Sequence, residues 1–87
     1  MKKIIDGKKY DTETAECIGG WENEYNGLDD RYFCAEELYR KKTGEFFIYS
    51  WGQEPYIMPY TLDEAKKWAE EHLTGEKYEE IFGEVEE

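Results

Sequence analysis

The chain has 87 residues, 22 of them acidic and 11 basic, for a formal net charge of -11. That length makes one domain, 1–87, with a small core, and that charge argues against direct nucleic-acid or anionic-membrane partners while steering the molecule towards basic surfaces. Aromatic residues form 17% of the chain, too many for an acidic disordered segment, and no apolar run approaches the roughly 20 residues of a membrane span.

Lys2–Ile5 reads as a short strand and Lys8–Tyr10 as its return, joined by Asp6-Gly7, a type I′ turn dipeptide. The opening residues meet an acid at Asp6 and do not read as a signal peptide. Two thiols, Cys17 and Cys34, are too few for a disulfide framework, and the expectation is a cytoplasmic protein. Asp11-Thr12-Glu13-Thr14 reads as a turn. Ala15–Tyr25 reads as a strand interrupted by Gly19-Gly20, where a bulge or a close backbone approach is expected. Asn26-Gly27, extended by Asp29-Asp30, is a hairpin signal.

Arg31–Lys41 carries helix-forming Ala35-Glu36-Glu37-Leu38, but its aromatics and bounding turns favour a strand. Glu45–Trp51, aromatic and β-branched throughout, is the clearest strand. Gly52–Tyr60, punctuated by Pro55 and Pro59, reads as a loop. Thr61 and Glu64 form a capping box that opens a helix over Leu62–Leu73. Its packed face is expected to hold Leu62, Ala65, Trp68, Ala69, His72 and Leu73, with Gly75 as its end. Glu76–Val85 repeats a short helical pattern, with Tyr78, Ile81, Phe82 and Val85 on one stripe. The order predicts an α+β domain: an antiparallel meander of three to four strands, a packed helix, and a short acidic C-terminal helix.

Catalytic chemistry is not legible. Cys17, Cys34 and His72 are the whole thiol and imidazole inventory and lie far apart in sequence, against the paired spacing of zinc sites. Glu16, Glu36 and Glu37 would raise a neighbouring thiol's pKa rather than lower it. The carboxylate pairs Glu36-Glu37, Glu70-Glu71 and Glu79-Glu80 read as solvated. The expectation is a non-enzymatic protein with no cofactor and no metal.

Charge is distributed unevenly. Residues 45–87 hold twelve acids and three bases, against ten and eight in residues 1–44. Glu70, Glu71, Glu76, Glu79, Glu80 and Glu84 offer a row of anions suited to a basic nucleic-acid-binding surface on a partner protein. Trp51 and Tyr56, flanking the loop between them, are the candidate apolar anchors. Eight tyrosines exceed what a small core hides, so some are expected at a contact surface or half-buried on an open sheet face. Two alternatives stand beside this reading. One is a homodimer through an exposed strand edge. The other is sequestration of a small molecule or nucleotide, with Lys8, Lys9, Arg40 and Lys41 collecting a phosphate.

The opening Ile5–Glu16 (IDGKKYDTETAE) resembles small proteins of phages and mobile elements of Gram-positive bacteria, which begin I-x-G-K-x-Y-D-T-x-T-A-E. Leu38–Phe47 is similar to their L-Y-x-x-K-x-G-x-[FY]-F segment, and Pro59–Glu70 to their P-[LY]-[ST]-x-x-E-A-x-x-W-A-E helix. Some similar members carry a Gly-Gly-rich loop after the last strand; Trp51-Gly52-Gln53-Glu54 has one glycine. The resemblance implies a counter-defence, anti-CRISPR-like inhibitor acting on a host defence protein in the bacterial cytoplasm.

Overall fold

The computed structural model describes residues 1–22, 35–51 and 54–86. The hairpin at Asn26-Gly27, Cys34, and the loop positions Gly52 and Gln53 lie outside the described residues. Strands β1 (Lys2–Ile5) and β2 (Lys8–Asp11) pair as an antiparallel hairpin. Its turn is of type I′, with φ of 52° at Asp6 and 76° at Gly7. Both central residues of such a turn need positive φ, which glycine adopts without strain and aspartate tolerates.

Strands β3 (Glu16–Glu22), β4 (Ala35–Arg40), β5 (Phe46–Trp51) and β6 (Tyr56–Tyr60) form a separate antiparallel sheet in the order β3-β4-β5-β6. The register shifts between Cys17 and Gly19, a bulge at Ile18 just before the glycine pair, whose own residues stay in register with Leu38 and Glu37. Helices α1 (Leu62–His72) and α2 (Gly75–Phe82) complete the α+β domain. Among the described residues no helix is long and apolar enough to cross a membrane.

Three readings of the sequence are corrected. First, residues Tyr56–Tyr60 are a strand rather than part of a loop, paired from Phe46↔Tyr60 to Ser50↔Tyr56. Pro59 is compatible with this because β6 is an edge strand, where a missing N–H need not face a neighbour. Second, Gly75 does not end α1. Leu73 is its C-cap, and Thr74 caps a new helix by accepting the Lys77 backbone N–H. Third, Gly83, at φ 94°, stops α2 before Val85, whose N–H turns back to the Glu79 carboxylate. The predicted capping box is present in full: Glu64 N–H donates to the Thr61 hydroxyl, and Thr61 N–H donates to the Glu64 carboxylate.

Both faces of the sheet are covered. On one, Ile18, Leu38, Phe46 and Ile48 pack against Ala65 and Trp68 of α1. On the other, Tyr39, Phe47 and Ile57 pack against Tyr10 of the hairpin. Tyr10 meets Phe47 edge-on with ring centroids 5.6 Å apart, and Tyr39 stacks on Phe47 at 5.2 Å. Two covered faces explain why β5 reads Phe-Phe-Ile-Tyr without polar alternation. The hairpin also accounts for much of the tyrosine excess: among the described tyrosines only Tyr56 is exposed.

Candidate binding surface

Helix α1, with four of the 22 acids, is held on the sheet by a carboxylate. Alternation along β4 puts Glu36 on the same face as Leu38, beneath α1. Its Oε1 accepts the indole N–H of Trp21 at 2.8 Å and that of Trp68 at 3.3 Å. His72, one turn beyond Trp68, stacks on Trp21 with centroids 4.6 Å apart and planes 9° from parallel. The half-buried Tyr60 phenol nearby is pushed above its ordinary pKa, first by burial and then by Glu36. One strand, one edge strand and one helix therefore meet at a single oxygen, which fixes how α1 presents its outer face.

Each acid of the helical layer has a distinct situation. Asp63, Glu64 and Glu76 occupy first turns, where they complement the positive helix end. Glu80 lies 3.7 Å from Lys77, and Glu71 lies 3.8 Å from the imidazole of His72. Glu71 also shares a shallow depression with Glu64 and Tyr60, on the β6 flank of α1. Glu70 faces the opposite flank, where a groove of about 480 Å³ is bordered by Glu70, Glu79 and Glu86. Glu84 is exposed on the tail. The six predicted glutamates are thus all exposed, but they form no single row: Glu70 and Glu79 converge, Glu71 turns away, and Glu80 is partnered.

The two predicted anchors are not brought together. Trp51 is half-buried beside Tyr49, at a centroid distance of 5.5 Å, on the hairpin face. Tyr56 pairs with Ser50 and so falls on the helix face, exposed. The apolar surface that does lie beside the convergent acids is Ala69, Leu73, Tyr78 and Val85. Sequence periodicity placed Ala69 and Leu73 on the packed face of the first helix and Tyr78 and Val85 on the stripe of the second, and α2 ending at Gly83 is what leaves Val85 exposed.

Lysines collect on the opposite face of the sheet. The hairpin contributes Lys2, Lys3, Lys8 and Lys9. Glu45 at the β4–β5 turn binds two cations, Lys8 at 3.1 Å and Lys41 at 3.4 Å. The Lys8 hydrogen bond draws the Glu45 carboxyl below its ordinary pKa, and Glu45 raises Lys8 in return. Lys41 also lies 4.2 Å above the Tyr10 ring, and Arg40 pairs with Glu16 at 3.1 Å.

The thiol of Cys17 donates to Glu37 Oε2 at 3.7 Å, while the Tyr39 hydroxyl donates to Oε1 at 3.2 Å. Burial of the sulfur, then the Glu37 charge, pushes the Cys17 thiol up, and the same two causes raise Tyr39 strongly. A thiol in that setting is a poor nucleophile. Compared with known proteins, the chain matches no family model, no curated protein and no solved structure.

Proposed function

We propose that this protein is a non-enzymatic binding protein whose acidic helical layer covers a basic, nucleic-acid-binding surface of another protein. The observation that carries the reading is where the acids stand. Glu70 and Glu71 occupy the last turn of α1, and Glu79 and Glu80 the last turn of α2, which contains no basic residue. Carboxylates at a helix C-terminus oppose the negative end of the macrodipole. Glu71, Glu79 and Glu80 offset part of that through His72, the Val85 N–H and Lys77, but Glu70 has no such partner among the described residues, and a local rule broken without compensation is a mark of functional surface.

Charge segregation supports the same reading. Residues 62–86 hold nine acids and three lysines, while residues 1–11, on the other side of the sheet, hold four lysines and two aspartates. Such a molecule approaches a basic surface helices first. The sequence resemblance to phage and mobile-element proteins favours a counter-defence role in a bacterial host, with a nucleic-acid-binding effector as the partner.

The rivals have less support. The two sheet edges are blunted, β3 by its bulge and β6 by Pro59, which disfavours edge-to-edge dimers. Three of the four cations proposed to collect a phosphate are engaged, Lys8 and Lys41 on Glu45 and Arg40 on Glu16, which leaves Lys9 alone without an ion pair among the described residues.

The test is capture of proteins from a bacterial lysate on the immobilised chain, followed by elution with duplex DNA. The reading expects captured nucleic-acid-binding proteins that DNA displaces. It expects their release in about 1 M salt, where the screening length is about 3 Å. It also expects no capture by the Glu70→Lys, Glu79→Lys, Glu84→Lys triple variant. Capture that survives salt and charge reversal would overturn it.

A further inference from the structure

From the groove where α1 meets α2 we infer a socket for an arginine or lysine side chain projecting from the basic surface of the partner, an inference that rests on the acidic-surface reading above. Leu73, Tyr78 and Val85 line the groove, with Glu70, Glu79 and Glu86 among its walls. Its volume of about 480 Å³ falls within the range of roughly 300–1,000 Å³ for clefts that hold small ligands. Arginine and lysine pair an aliphatic stem with a terminal cation, and this lining pairs an apolar floor with carboxylates. The half-buried Tyr78 ring offers a face for the cation as well.

Two observations show that the carboxylates are available. Glu79 uses Oε2 to accept the Val85 backbone N–H at 3.1 Å, and its Oε1 has no hydrogen-bond partner among the described residues. Glu70 makes no ion pair among the described residues either. The Val85 bond also holds the tail back against α2, so residues 85 and 86 wall the groove instead of trailing from the helix. A purely apolar segment would cover these carboxylates without supplying a cation, and an anionic one would be repelled. A cationic side chain with apolar neighbours satisfies both parts of the lining.

The experiment titrates ¹⁵N-labelled protein with hexa-arginine and with its uncharged hexa-citrulline counterpart at low salt. Hexa-arginine is expected to bind, with amide shifts concentrated at Leu73, Tyr78 and Val85, and hexa-citrulline is expected not to bind. Glu79→Gln and Glu70→Gln should each weaken binding by about tenfold, the loss of a charge-assisted hydrogen bond. Glu80→Gln, on the partnered side of α2, should change it by less than about twofold. Val85→Asp, in the exposed tail, should weaken binding while leaving thermal stability unchanged. Shifts spread evenly along both helices, with Glu80→Gln as damaging as Glu79→Gln, would remove the socket and leave the acidic surface standing. Failure of hexa-arginine to bind at all would remove both.

Discussion

Replacing Glu36 with alanine removes the acceptor shared by Trp21 and Trp68 and leaves two indole N–H groups without a partner. Trp68 is only 4% exposed, so little of the side chain meets water in the folded state. Leaving a buried donor unsatisfied costs about 1–3 kcal/mol, and the half-buried Trp21 adds a smaller amount. The sum is about 2–4 kcal/mol. A domain of this length holds about 4–13 kcal/mol in total, at 0.05–0.15 kcal/mol per residue. Each kcal/mol moves the melting temperature of a small domain by about 4–8 °C, so Glu36→Ala should melt about 8–32 °C lower. Glu36→Gln keeps an acceptor oxygen and loses the charge, and should fall between the two. Urea unfolding followed by tryptophan fluorescence is the assay, because two of the three tryptophans report on this oxygen. A Glu36→Ala protein within about 0.5 kcal/mol of the parent, the usual range for neutral surface changes, would refute the argument.

Four more outcomes are expected. A Cβ at Gly20 would stand 2.9 Å from the Glu36 backbone oxygen, which has no rotamer to turn aside, so Gly20→Ala should cost about 1–3 kcal/mol by overpacking. Gly19→Ala, opposed at 2.6 Å only by the tip of the Leu73 side chain, should cost less, and equal losses in urea denaturation would contradict the difference. Glu45 has a folded pKa below its ordinary 4.5 and Lys8 one above its ordinary 10.5. Their pair therefore supports the hairpin fully between those two values, weakens as pH falls through the Glu45 value, and weakens again as pH rises through the Lys8 value. Protection of the β1 and β2 amides, taken relative to their intrinsic exchange rates, should fall at both ends, and a flat protection profile would count against the clamp. In a Cys34→Ser background, Glu37→Gln should speed alkylation of Cys17 by iodoacetamide at pH 8, since it removes a charge that disfavours the thiolate; an unchanged rate would exclude that role. Tyr10→Ala removes the hairpin's buried ring from Phe47 and should cost about 3–5 kcal/mol, with β1 and β2 losing exchange protection before the four-stranded sheet does.

The candidate surface divides in the same way as the fold between what neighbours in sequence decide and what packing decides. Glutamates 70, 71, 76, 79, 80 and 84 could be recognised as surface from spacing alone, and all six are exposed. Their grouping could not. Glu70 and Glu71 are adjacent in sequence yet face opposite flanks of α1, because successive residues on a helix are about 100° apart. The role of Glu36 had a signal, an acid at the same alternation position as Leu38. Its meaning depended on two indoles that arrive from 15 residues before it and 32 residues after it.

Residue identity alone determined the elements whose chemistry is local. These are the type I′ turn at Asp6-Gly7, the Thr61–Glu64 capping box, and the strand character of β5. Each depends on groups within a few residues of one another or on alternation along one strand. Only the tertiary structure decided that Tyr56–Tyr60 is a strand, since a short run containing proline becomes one only when an open sheet edge accepts it. It also decided that the hairpin covers the second face of the sheet, and that Leu73, Tyr78 and Val85 share a groove with Glu70 and Glu79. Those outcomes depend on which surfaces meet across long stretches of chain, and alternation specifies that a face is apolar without specifying what buries it.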